Sequence, residues 1–164
     1  MHRYRTQNTA MVTTAAPAFV ATGTTIKTML QLATPSTRQC QLISWGFALD
    51  AAQVGTVELL QTDTAATVTA HVAAGIQPLD PNAPASLLVG GTTATGFTAS
   101  GEGVVGTTRT FDVVRTLATA SSIVEYEYQF MPDERPIVAV SRFLRVRVTF
   151  TSTTNMLCFF VWDE

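Results

Sequence analysis

Residues 142–150 read RFLRVRVTF, and from Leu144 onward the alternation is strict. Leu144, Val146, Val148 and Phe150 share one side; Arg145, Arg147 and Thr149 share the other. A period of two belongs to a β-strand with one buried face, because successive side chains point to opposite sides. The same period recurs in SIVEYEYQFMP, where Val124, Tyr126, Tyr128 and Phe130 alternate with Glu125, Glu127 and Gln129. After RFLRVRVTF come TSTTN and then MLCFFVWDE. That last run is apolar on both sides: Met156, Cys158, Phe160 and Trp162 on one, Leu157, Phe159 and Val161 on the other. The two runs are expected to form a hairpin across the short polar turn. One face of the final strand enters the core. The other needs separate cover, from the rest of the domain or from a neighbouring subunit. Obligate interfaces resemble a core cut in half, which favours the subunit and makes Leu157, Phe159 and Val161 the expected oligomer interface.

Earlier runs fit the same pattern. TIKTMLQLA alternates, and TVELLQTD is a short strand. QCQLISWGFALD is apolar enough to be covered on both faces, with Gly46 marking a bulge or a close backbone approach. TRTFDVV is a further strand. In TAATVTAHVAAG, Val68, His71 and Val72 fall at helical spacing, with Thr64 as a cap and Gly75 as a stop, which predicts one short helix. QPLDPNAPAS carries Pro78, Pro81 and Pro84, so it is a rigid loop. VGGTTATGFTASGEGVVG reads as a long Gly/Thr loop. Short strands separated by Gly, Pro and Thr loops predict an all-β fold, a jelly-roll-like β-sandwich with at most one short helix.

Residues 1–24 differ from the rest. They carry no acidic residue, and apolar anchors interrupt a polar background. They are expected to form an extended N-terminal arm that docks on a partner, with residues 25–164 as the single sandwich domain.

Composition narrows the function. Only 13% of residues are charged while 46% are hydrophobic, and mean hydropathy is +0.24. Either neutral Thr, Ser, Gln and Asn supply the solvation, or partners bury much of the surface. A net charge of -2 and a pI near 5.6 argue against a nucleic-acid partner, which would call for a basic face. Lys27 is the one lysine among mostly Arg cations. Arg in place of Lys suits interfaces, and a GC-rich coding sequence produces the same bias. Cys40 and Cys158 lie in apolar runs and are expected to be buried free thiols. The first residues lack the continuous apolar core of a secretion signal, and no run reaches membrane-span length; the expectation is a soluble protein made in the cytoplasm, with no membrane partner.

Catalytic motifs are missing. No nucleophile elbow, phosphate-binding loop, dinucleotide fingerprint or HExxH is present. His2 and His71 are the histidines, and neither has an acidic neighbour in sequence. Glu125 and Glu127 lie about 7 Å apart along one strand face. Paired carboxylates can hydrolyse glycosides, but here they read as a solvated face, set opposite Arg145 and Arg147 of a neighbouring strand. In that register the two arginines are half-exposed. Asp80 and Asn82 in DPNAP are too few for a calcium site. No enzyme activity, cofactor or metal is expected.

The segments YRTQNTAMVTTAAPAFVATGTTIKTMLQLATPS, ISWGFALD, VSRFLRVRVTF and FFVWDE together resemble capsid decoration (cement) proteins of tailed bacteriophages, especially those infecting actinobacteria. The resemblance implies a β-sandwich that clusters as a homotrimer on the outer capsid. It implies an arm gripping the major capsid protein, with Arg3, Tyr4, Arg5, Met11, Val12 and Phe19 as the capsid-binding residues of this chain. The implied role is mechanical and the implied location is the virion. A receptor- or glycan-binding head of a phage tail or fibre is the alternative. It would need aromatic residues on the loops, and the 90–106 stretch offers Phe97 alone.

Overall fold

The period-two runs become strands, and the strands divide into two antiparallel sheets that make an all-β sandwich. The computed structural model describes residues 2–10, 14–88, 94–103, 106–119 and 124–164. In chain order its strands are β1 (Arg3–Gln7), β2 (Val20–Ala21), β3 (Lys27–Ala33), β4 (Cys40–Leu49), β5 (Gly55–Thr62), β6 (Thr67–Ala70), β7 (Ile76–Pro78), β8 (Gly96–Gly101), β9 (Thr107–Thr116), β10 (Glu125–Gln129), β11 (Ile137–Val138), β12 (Phe143–Phe150) and β13 (Asn155–Asp163). The first sheet has the order β10-β4-β13-β1-β7, with β11 also on β4 and β2 on β13. The second has the order β6-β8-β3-β12-β5-β9.

Alternation fills the space between the sheets. Leu42, Trp45, Phe47, Met156, Cys158, Phe160 and Trp162 face Leu30, Leu32, Val57, Leu59, Leu144, Val146, Val148 and Phe150, and all are buried. The terminal run is therefore central, with β4 on one side and β1 on the other. Cys40 and Cys158 are buried free thiols, as expected; burial pushes the Cys40 thiol up to about 12 and that of Cys158 well above its ordinary value.

The structure corrects four local expectations. First, β12 and β13 do not pair: they lie in different sheets, and residues 151–154 cross from one to the other. Asp50 holds that corner, accepting hydrogen bonds from Thr154 Oγ1 (2.8 Å), Asn155 N (3.0 Å) and Asn155 Nδ2 (2.6 Å). Both strands are covered on each edge, β12 by β3 and β5 and β13 by β4 and β1. Second, residues 64–75 hold no α-helix. Thr67, Val68 and Thr69 enter β6, and a single 3-10 turn follows at Ala73–Gly75. β-Branched residues prefer the pleated surface, and Val68 has a covering layer to meet. Third, Gly96–Gly101, expected within a loop, forms β8 and pairs with β3 and β6.

Fourth, Arg145 and Arg147 do not face Glu125 and Glu127, which pair with β4 in the other sheet. Arg147 Nε meets Glu58 Oε2 at 2.9 Å on the adjacent β5. Arg145 is 0% exposed. Its guanidinium donates to the carbonyl of Thr64 and lies 3.5 Å from Glu102 Oε2. Glu102 in turn accepts from Thr28 N and Thr28 Oγ1. Gln31 bonds the Ala66 amide (2.9 Å) and the Ala94 carbonyl (2.8 Å) beside it. Thr64, Ala66, Ala94 and Glu102 thus cover the outer side of the second sheet at Thr28, Gln31 and Arg145, and burial lowers the Arg145 pKa.

Candidate docking face

Among the described residues, no segment covers the outer side of the first sheet in this way. Its rows follow from the strand register. One row runs Glu127, Gly46, Phe159, Gln7 across β10, β4, β13 and β1. The next runs Gln129, Ser44, Val161, Arg5. On the other side of Glu127 comes Glu125, Ala48, Leu157. Read along the strands, β13 supplies a ridge of Leu157, Phe159 and Val161, β4 a low strip of Gly46, Ala48 and Ser44, β10 the carboxylates and β1 the cation.

Gly46 is required by this packing. A Cβ there would come within 2.7 Å of Phe159 Cε1 and of the Tyr126 carbonyl oxygen. The missing side chain lets the Phe159 ring lie against backbone. The Arg5 guanidinium sits 4.7 Å from the centre of the same ring, a cation–π contact. The result is a shallow cleft of about 330 Å³ lined by Arg5, Ala48, Glu125, Glu127, Leu157 and Phe159. Glu125 and Glu127 are exposed, and neither has an ion-pair partner among the described residues; nor does Arg5.

The residues expected to bind a capsid separate. Arg3 and Arg5 point to the outer side of β1, and Tyr4 points inward. Arg3 Nε lies 3.6 Å from Asp163 Oδ1, a buried carboxylate that Arg135 also approaches at 3.5 Å. Tyr4 is buried, stacks on Trp162 at 6.0 Å and donates to the Pro84 carbonyl (2.9 Å). These three are therefore part of a sheet strand, hydrogen-bonded between β13 and β7, where an extended arm was expected. Met11 and Val12 lie outside the described residues. Phe19 is 40% exposed just before β2. Leu157, Phe159 and Val161 do share one half-buried face, and the structure adds Arg5 to them. Sequence reasoning missed Glu125, Glu127, Gly46 and Ala48 as its other wall. The alternation of β10 carried that signal, but only pairing with β4 brings it beside β13.

Other candidates are structural. His71 is buried, its Nε2 lies 2.6 Å from the Gln7 carbonyl oxygen, and its ring packs 4.8 Å from Phe97. Among the described residues no group of three His, Cys, Asp or Glu side chains could hold a metal ion, and no helix is long and apolar enough to cross a membrane. Compared with protein-family models, curated proteins and solved structures, the chain matches none of them.

Proposed function

We propose that this chain is a non-enzymatic structural protein of a phage virion, a decoration protein that binds the outer capsid surface with the major capsid protein as partner. The observation that carries the reading is the uncovered outer face of the first sheet. It is wide and shallow, apolar along its middle and walled by unlike charges. Protein–protein contacts take that form, whereas small-molecule sites are deep and enclose most of their ligand. The strand order supports the same reading. Setting aside β2, β6, β7, β8 and β11, the order β10-β4-β13-β1 facing β3-β12-β5-β9 is compatible with the double Greek-key order of a jelly roll. We read the fold as one, and fold alone does not assign a role. The stretch from residue 10 to Phe19, between β1 and β2, is the segment we assign to gripping the capsid.

The test mixes the purified chain with capsids that lack it and images the particles. Saturable occupancy at symmetry-related capsid positions supports the proposal. Labelling confined to tails or to the cell surface overturns it in favour of a receptor-binding head.

A further inference from the structure

We infer that the free edge of β10 takes an added β-strand from a partner protein, an extended segment with Arg or Lys at every second position and apolar residues between. The pairing of β10 with β4 fixes which backbone groups are spare. Phe130 N donates to the Ile43 carbonyl at 2.9 Å, and Leu49 N donates to the Val124 carbonyl at 2.7 Å. Between those two bonds the register runs without a shift. Bonded and non-bonded pairs alternate in an antiparallel ladder, so Tyr126 and Tyr128 also turn their N–H and C=O groups to β4. Glu125, Glu127 and Gln129 turn theirs the other way, off the end of the sheet. Among the described residues nothing bonds to the amides or carbonyls of these three.

The other sheet ends are blunted. The sheets end on β10 and β7, and on β6 and β9. β7 has three residues and finishes on Pro78, which has no N–H to offer. β6 has four residues and two register shifts against β8. β9 is long, but it shifts register twice against β5, and Asp112 Oδ1 takes up the Val113 amide. Brevity, bulges and proline keep an edge from pairing with another chain. β10 has five residues, no proline, no lysine and no shift.

Side chains select the kind of strand. Neighbours across a ladder share a face, so residues set beside Glu125 and Glu127 lie with them on the outer side of the sheet. Neither carboxylate has an ion-pair partner among the described residues, and cations there pair with both. The intervening residues fall on the side of Val124 and Tyr128, each 40% exposed, and apolar side chains give them cover. A second copy's β10 does not fit. An antiparallel pairing that uses all three outward residues sets Glu127 against Glu127, and like charges directly opposite are destabilising. In strand addition the main-chain bonds supply the affinity and the alternating side chains the choice of partner.

The probe is a capped peptide, Thr-Val-Arg-Val-Arg-Val-Thr, titrated into the full chain and followed by amide NMR. A dissociation constant on the order of hundreds of micromolar is expected, because a short flexible strand loses much freedom on docking. The amides of Glu125, Glu127 and Gln129 should exchange fast with solvent in the free chain, and saturating peptide should slow them by about tenfold or more. Methyl groups on the two arginine amides, which face β10 in the antiparallel pairing, are expected to abolish binding. Methyl groups on the valine amides, which face away, are expected to leave it. Glutamate for arginine in the peptide, or Glu125→Lys with Glu127→Lys in the chain, should weaken binding by about tenfold or more. Circular dichroism checks that the chain variant is folded. Three results each overturn the inference: no slowing in β10 up to about 3 mM peptide, shifts confined to another part of the chain, or binding indifferent to where the methyl groups sit. Peptide capture by a chain that binds no capsid supports this inference and defeats the capsid reading alone; a capsid-bound chain that takes up no peptide does the reverse.

Discussion

The phenol of Tyr126 donates to Asp112 Oδ2 at 2.7 Å, and in doing so joins the two sheets along one open side of the sandwich. Trp45 Nε1 donates to the same oxygen at 3.2 Å, and Asp112 Oδ1 accepts from Val113 N. Tyr126→Phe keeps the ring contacts with Trp45 and Phe47 and removes one donor to a carboxylate. The expected cost is about 1 to 2 kcal/mol, read from the urea midpoint. An unchanged midpoint would show that the two sheets are held at this edge by packing alone. Burial, and then Asp112, push the Tyr126 phenol pKa up, so its ionisation by ultraviolet absorbance should lag that of an ordinary phenol.

His71 sets a pH dependence. Burial lowers its pKa below the ordinary 6.5, partly offset by the hydrogen bond to the Gln7 carbonyl. The unfolded chain then holds the proton more tightly than the folded one. This contribution to stability is complete above about pH 6.5 and is lost as the pH falls from there towards the folded-state pKa. Urea midpoints measured from pH 7.5 down to 5 should decline, and His71→Gln should flatten the decline across that window. The slope surviving unchanged in the variant would remove His71 as its source.

Gly46→Ala should destabilise the protein by about 1 to 3 kcal/mol, because its Cβ meets both a ring carbon and a backbone oxygen at 2.7 Å. The variant should also shift the Phe159 ring resonances in an NMR spectrum. A neutral substitution would mean that β4 and β13 can slide apart at little expense.

Arg145→Met removes a buried cation and leaves Glu102 facing the Thr28 hydroxyl without it. Breaking one side of a buried pair costs about 3 kcal/mol or more, whereas replacing both sides is often nearly neutral. The double variant Arg145→Met/Glu102→Gln should therefore recover most of the loss. Equal midpoints for the single and double variants would show that the Thr64 carbonyl, and not Glu102, is the partner that matters.

Strand identity was largely legible in the sequence, because period two reports a covered face whatever covers it. RFLRVRVTF and MLCFFVWDE were both read as strands, and the double-sided apolarity of the latter marked it as central. Partnership was not legible. The five-residue turn TSTTN fits a hairpin as well as it fits a corner between sheets, and only Asp50, over a hundred residues earlier in the chain, decides the matter. Arg145 looked solvated because alternation says which side a residue takes and nothing of what lies on that side. The ridge of Leu157, Phe159 and Val161 could be named from sequence. Its walls could not, since Glu127, Gly46 and Gln7 meet Phe159's row through three separate pairings.

The position of β13 has a consequence for synthesis. Its hydrogen bonds run to β4 on one edge and to β1 on the other. While a ribosome is still adding residues 155–163, β1 and β4 have no strand to lie between them, and their exposed edges wait beside the exit tunnel. The second sheet can collect its strands first; the first sheet closes only once residues 155–163 have emerged. Pairings this distant in sequence are slow to form. The nascent chain is thus expected to be aggregation-prone until β13 emerges, and to gain protease resistance in one step when it does.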